Sequence, residues 1–205
     1  PIDLFDINDG ILSNNLRQSA YLKTRSGIML MGGVKGLTIF NPEQITENII
    51  APKMLISGLK INNESVIAGK KINNKVILTN SISNTKELVL NHNNRNISLD
   101  IIVQHNSTPK KNRLAYMLEE INRDWVEVSE GKATATYTNL SAGTYKFLYK
   151  GANGDGNWTA ETQELIIQVL APWYLRWISI VIWVLILISI IYIIFKYLVR
   201  LEKLK

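Results

Sequence analysis

His92 and His105 are the only histidines among 205 residues. They stand in the contexts NHNN and QHNS, with no carboxylate at a spacing that would complete a metal site. Loop or strand-end histidines are the expectation for both. Glu119, Glu120, Asp124 and Glu127 crowd one short stretch, and a carboxylate pair is what glycoside hydrolysis needs. Their Lys and Arg neighbours read instead as the solvated edge of a hairpin. Asp155, in GANGDGNW, sits in a calcium-type turn that lacks the further acidic ligands of a calcium loop, so an Asx or glycine turn accounts for it. Trp125 and Trp158 offer indole faces to a sugar ring; a sandwich-core tryptophan is the expectation for Trp125, and Trp158 fits a core or a platform equally. With no cysteine there is no thiol nucleophile, disulfide or Cys-based metal site. No nucleophile elbow, P-loop or dinucleotide fingerprint occurs. The expectation is no catalytic residue, no cofactor and no metal.

The elements that would carry these residues follow from patterning. Short β-branched runs recur between Asn/Gly/Ser clusters: MLISGLKI, KVILT, ELVL, ISLDIIV, LAYML, WVEV, TATYT, YKFLY and ELIIQVL. Ile97, Leu99, Ile101 and Val103 alternate strictly, as one buried face of a strand does. Turn signals every ~8–12 residues then predict an all-β antiparallel sandwich of the immunoglobulin or fibronectin-III kind. Within Tyr137–Tyr145, a turn carrying Gly143 precedes Tyr145 at a strand start, the pattern of a tyrosine corner. The first fifty residues differ. AYLKTRSGIMLMGGVKGLTIFNP reads as strand, Ser-Gly turn, strand and glycine-rich exit, the form of one propeller blade, with the junction at Pro42 to Pro52.

Charge points to the far end. Residues 1–172 hold 18 Lys/Arg and 16 Asp/Glu, whereas residues 173–205 hold 5 and 1, so the net +6 is no basic nucleic-acid face. Between these cations, Trp177 to Phe195 is an uncharged run of 19 residues. As a helix it spans about 28 Å, close to the hydrocarbon thickness of a bilayer. Trp173, Tyr174 and Trp177 flank one side and Tyr192 and Tyr197 the other, as interfacial aromatics do. Lys196, Arg200, Lys203 and Lys205 follow the run and only Arg176 precedes it, which places the C-terminus in the cytoplasm and residues 1–172 outside. In YLVRLEKLK, Leu198, Leu201 and Leu204 could open a cytoplasmic helix or coiled coil. Pro1 begins no basic and apolar leader, so a signal peptide is expected upstream of this piece.

Taken in order, these stations resemble the periplasmic sensor region of hybrid two-component regulators. Asp9-Gly10-Ile11-Leu12-Ser13-Asn14 and Gly32-Gly33-Val34-Lys35-Gly36-Leu37, ending in Phe40-Asn41-Pro42, look like the last blade of its propellers. The triple-tyrosine domain that follows is matched by Asn96-Ile97-Ser98, Lys111-Asn112 leading to Tyr116-Met117-Leu118, and Asp124-Trp125. Tyr137-Thr138-Asn139-Leu140, Gly143-Thr144-Tyr145, Asn153-Gly154-Asp155-Gly156, Trp158 and Pro172-Trp173 complete the order. Leu114 stands where an aromatic is usual, and Ala142 where a proline precedes the corner glycine.

The resemblance implies a blade over 1–50, a triple-tyrosine sandwich over 51–172, a transmembrane helix over 173–197 and the start of a cytoplasmic linker over 198–205. Tyr116, Trp125, Tyr137, Gly143, Tyr145, Trp158, Pro172, Trp173 and Trp177 are the expected structural and coupling residues. It further implies a homodimer in the bacterial inner membrane, an oligosaccharide bound by propellers upstream in the same chain, and a histidine kinase downstream. The short joint at Pro172-Trp173 would pass the signal. The competing expectation is a membrane-anchored carbohydrate-binding or adhesion module without signalling output.

Overall fold

The computed structural model describes residues 5–72, 75–175 and 177–202. Residues 1–4 of the expected blade, Arg176 of the outer flank, and Lys203, Leu204 and Lys205 of the inner flank lie outside them.

The chain opens with a three-stranded antiparallel meander, β1 (Leu16–Lys23), β2 (Met29–Gly33) and β3 (Gly36–Phe40), in the order β1-β2-β3. Its first turn closes where the Thr24 hydroxyl accepts the Ile28 N–H at 3.0 Å, and Gly27 supplies a positive φ of 85°. In β1, Ser19 at φ 61° coincides with a break in register between Leu16 and Tyr21. Tyr21, Leu22, Leu37 and Ile39 remain half exposed or more, so this sheet buries no face of its own. Asn41 caps a 3-10 turn at Pro42–Gln44, and chain without regular structure follows as far as Lys53.

There the sandwich begins, with β4 (Lys53–Ile61), β5 (Glu64–Ser65), the small pair β6 (Lys71–Ile72) and β7 (Lys75–Val76), β8 (Glu87–Leu90) and β9 (Ile97–Gln104). It continues with β10 (Arg113–Leu118), β11 (Val126–Val128), β12 (Lys132–Tyr137), β13 (Gly143–Ala152) and β14 (Gln163–Val169). One sheet has the order β11-β10-β13-β14-β8 and the other β12-β9-β4-β5. Between them lie the inward residues of strict alternation: Ile97, Leu99 and Ile101 of β9, Tyr145, Phe147 and Tyr149 of β13, and Leu165, Ile167 and Val169 of β14. β4 changes phase, burying Ile56 and then Leu59 and Ile61, because its register with β9 shifts between Ile56 and Gly58.

Two elements differ from the sequence expectation. The strand expected over KVILT shrinks to Lys75–Val76; Leu78 reaches the core from irregular chain, its carbonyl accepting the Gly69 N–H at 2.8 Å. β8 pairs with β14 in parallel, whereas the other pairs are antiparallel. Alternation shows that ELVL is a strand but says nothing of the direction of its neighbour.

After β14 comes a 3-10 turn, Trp173–Leu175, and then α1 (Trp177–Glu202). The helix begins at Trp177 and continues past Tyr197 through LVRLE, so the turn containing Trp173 is not part of it. Its stretch Ser179–Arg200 is long and apolar enough to cross a membrane, and none of it is buried against the rest of the chain.

Candidate functional site

Among the described residues, the polar contacts that tie the sandwich to its neighbours lie at its two ends. At the end facing the blade, Asn48 is a node. Its backbone N–H donates to Asp155 Oδ2 at 2.8 Å, and its carbonyl accepts from Asn157 Nδ2 at 3.0 Å and from Asn153 Nδ2. Its own amide oxygen takes the Ile50 N–H at 3.0 Å, which leaves the amide nitrogen toward His105 Nε2 at 3.3 Å. Asn153 is fully buried. Its amide nitrogen also donates to the Ile50 carbonyl at 3.1 Å, while its oxygen accepts the N–H groups of Asp155 at 3.1 Å and Asn157 at 2.9 Å. One side chain thus satisfies four backbone groups, tying the chain that leaves the blade to the β13–β14 loop.

An ion pair between Asp9 and Lys111 adds a second tie between the two parts. Partial burial raises the Asp9 pKa, but the Lys111 ammonium and the Asp6 N–H outweigh it and hold the carboxyl below its ordinary value.

At the opposite end the sandwich hands over to the helix. β14 is gripped on both sides to its last residue, Gly143 standing opposite Val169 and Leu90 beside it. One residue further, the Leu170 N–H donates to the Leu90 carbonyl at 2.8 Å. Only Ala171 and Pro172 separate this bond from the 3-10 turn, and the Ser179 hydroxyl closes on the Trp173 carbonyl at 2.6 Å. Trp173 packs edge-on against Tyr174, ring centres 5.9 Å apart. Trp173 and Trp177 are 66% and 74% exposed, as rings meant for another medium would be.

Between the ends, Phe147 sits fully buried with Tyr116, Tyr137 and Tyr149 around it at ring-centre distances of 6.0, 6.2 and 5.8 Å. The Tyr137 hydroxyl donates to Asn122 Oδ1 at 2.8 Å, which also accepts the Leu118 N–H at 2.8 Å. Burial, and then the neighbouring Tyr116, push the Tyr137 pKa up; burial alone raises that of Tyr149. The Tyr145 hydroxyl donates to the Ser141 carbonyl at 3.1 Å, the bond of a tyrosine corner. Gly143 keeps an ordinary φ and open space about it, so that corner does not require a glycine there.

Trp125 corrects the expectation of a core residue: it is half-buried, precedes β11 and lies outside the core cluster. Lys150, on the outer face of β13, is the reason. Its ammonium lies 4.4 Å from the ring centre of Trp125 and 5.1 Å from that of Trp158, so both indoles meet the same cation. Glu119, Glu120, Asp124 and Glu127 lie on the β10–β11 hairpin, with Glu120, Asp124 and Glu127 exposed. Among the described residues no three His, Asp or Glu side chains converge as metal ligands. Of the structure's polar ties, Asn48, Asn153, Asn157 and the Asp9–Lys111 pair escaped sequence reasoning; the one available signal was the Asn-Gly-Asp-Gly loop.

Residues 105–170, from His105 through β14, match the Y_Y_Y domain family. Over 177 residues the chain is 30% identical to Histidine kinase P4 of Formosa agariphila, covering 86% of this chain and 13% of that protein. In structure it is similar to the extracellular domain of a B. thetaiotaomicron protein described as the hybrid two component system BT3049. That match has a TM-score of 0.64 at 23% identity, covering 82% of this chain and 22% of the other. The extracellular domain of BT4673 from the same organism, described as a one component system, gives 0.53 at 24% identity over 78% and 21%. The chain therefore spans about an eighth of the curated relative and about a fifth of these solved chains. Residues 105–170 thus match the Y_Y_Y domain, the fold is that of the extracellular domains of BT3049 and BT4673, and among the described residues one helix is long and apolar enough to cross a membrane.

Proposed function

We propose that this chain is the membrane-proximal, signal-transmitting segment of a bacterial transmembrane sensor of the hybrid histidine kinase type. The observation that carries the reading is the pair of short joints. Asn48 and Asn153 fasten the chain arriving from the blade to one end of the sandwich, and only Ala171 and Pro172 separate the last sandwich hydrogen bond from the turn that opens the helix. A body held this tightly at both ends moves as a unit, so a shift imposed on one end reappears at the other. The similarity to a histidine kinase and to extracellular domains of such systems supports the same reading.

In this scheme, propellers upstream bind an oligosaccharide, two copies of the chain pair in the inner membrane, and the paired helices carry the change to a kinase on the cytoplasmic side. Residues 1–172 lie in the periplasm and the Lys/Arg-rich C-terminal end in the cytoplasm. Trp125 and Trp158 favour the rival reading of a carbohydrate-binding module, but the Lys150 ammonium already lies over a face of each ring.

The test uses the whole receptor with two to four glycines inserted after Pro172. The reading expects ligand-dependent output to be lost or strongly weakened while the receptor still inserts and accumulates. Unchanged output would show that rigid coupling through this joint is wrong.

A further inference from the structure

Where the sandwich meets the helix lies a cleft of about 420 Å³ with mixed polar and apolar walls. His92 and Arg95 of the β8–β9 loop, Ser141 and Ala142 of the tyrosine-corner loop, and Pro172 and Tyr174 of the joint line it. The tyrosine corner fixes one wall through Tyr145, and the Leu170–Leu90 bond fixes another.

Arg95 is the charge in this cleft. Its Nε donates to the Leu140 carbonyl at 2.6 Å, and Nη2 reaches the Asn139 carbonyl at 3.5 Å. Both acceptors are neutral. The ion pairs found among the described residues, Lys60–Asp100 and Lys111–Asp9, do not involve it. Carbonyls thus hold the guanidinium in one orientation without neutralising it, and a guanidinium has five donors of which these two bonds use only part.

Depth identifies the missing counter-charge. Tyr174 shares the cleft with Arg95 and belongs to the turn between Trp173 and Leu175, just before the apolar stretch starts at Ser179. Amphipathic rings at such a place sit at headgroup level. The anion found at that depth is lipid phosphate, and a fixed guanidinium is the side chain best shaped to take it.

We propose that this cleft seats the phosphate of a phospholipid headgroup from the leaflet that faces the sandwich, with Arg95 as the cationic donor and the Tyr174 hydroxyl as a neutral one. The proposal rests on the reading that α1 spans the membrane. A lipid bound there bridges the sandwich to the bilayer beside the helix and stiffens the joint from outside.

The test places the full chain in nanodiscs of phosphatidylcholine and phosphatidylglycerol and counts co-purifying phospholipid by native mass spectrometry after extraction into mild detergent. The wild type retains a phospholipid. Arg95→Gln lowers retention about tenfold, as the loss of one charge-assisted hydrogen bond would. Arg123→Gln, on the exposed β10–β11 loop, leaves it unchanged. Equal retention by wild type and Arg95→Gln overturns the proposal, and displacement of the lipid by inorganic phosphate shows a free-anion site and overturns it too. Because Arg95 also braces its loop, a second measurement avoids that residue. A nitroxide at exposed Asn93 should show headgroup depth by its collision rates with oxygen and a nickel chelate; a fully aqueous profile on an inserted chain contradicts this site alone. Failure of the chain to enter nanodiscs defeats the membrane-spanning reading and this site with it.

Discussion

Asn153 carries more of this molecule than its type suggests. With no exposure, two donors and two accepted N–H bonds, it has no neutral replacement. Asn153→Ala leaves several buried backbone groups unpaired, and a loss of about 2–3 kcal/mol is expected in chemical denaturation of the full chain in detergent. The Asp9–Lys111 pair makes a different prediction. Because the folded carboxyl lies below its ordinary value of 3.8, its contribution is present above that pH and is lost as pH falls through the lower folded value. The tie between blade and sandwich should therefore loosen only in strong acid, and Asp9→Asn should reproduce the loosening at pH 7. Hydrogen exchange in residues 41–50 would report both. Neither feature was legible beforehand: Asn48 and Asn153 are 105 residues apart, and an Asn-rich chain offers many such amides with nothing to single out two. Trp125 misled for a related reason. A tryptophan before a short strand suits a sandwich core, and only the register of β13 brings Lys150 over its ring.

At the scale of elements, alternation made most strands readable, since a face that buries every second residue must show period two. What it cannot encode is partner and direction, so the parallel pairing of β8 with β14 came from the structure. Two glycines separate the roles that pattern alone confuses. Gly143, with open space and an ordinary φ, should accept alanine within about 0.5 kcal/mol. A Cβ on Gly151 would collide with the Met54 sulfur and approach Val103 Cγ2 to 3.1 Å, so Gly151→Ala should lower the melting temperature where Gly143→Ala does not. In the centre, Phe147→Ala should cost about 3–5 kcal/mol, because three tyrosine rings lose their common neighbour. Urea titration of the three variants side by side checks the ranking.

For the whole molecule, the apolar helix was legible as a run of the length and apolarity a bilayer demands, whereas its bounds, expected at 173 and 197, fall at Trp177 and Glu202. The joint was legible as a short spacing and became a physical connection only with the Leu170–Leu90 bond and the Ser179 cap on Trp173. Rigidity of that joint is the central claim. The absence of native cysteines makes it directly measurable with a single labelled pair, Thr144→Cys on the sandwich and Lys196→Cys far along α1. Both positions are exposed, and the long helix turns a small angular wobble at Pro172 into a wide spread of distances. Pulsed electron paramagnetic resonance on the full chain in nanodiscs should give one narrow distance peak, which broadens when glycines are inserted after Pro172. A broad distribution in the uninserted chain would contradict the account.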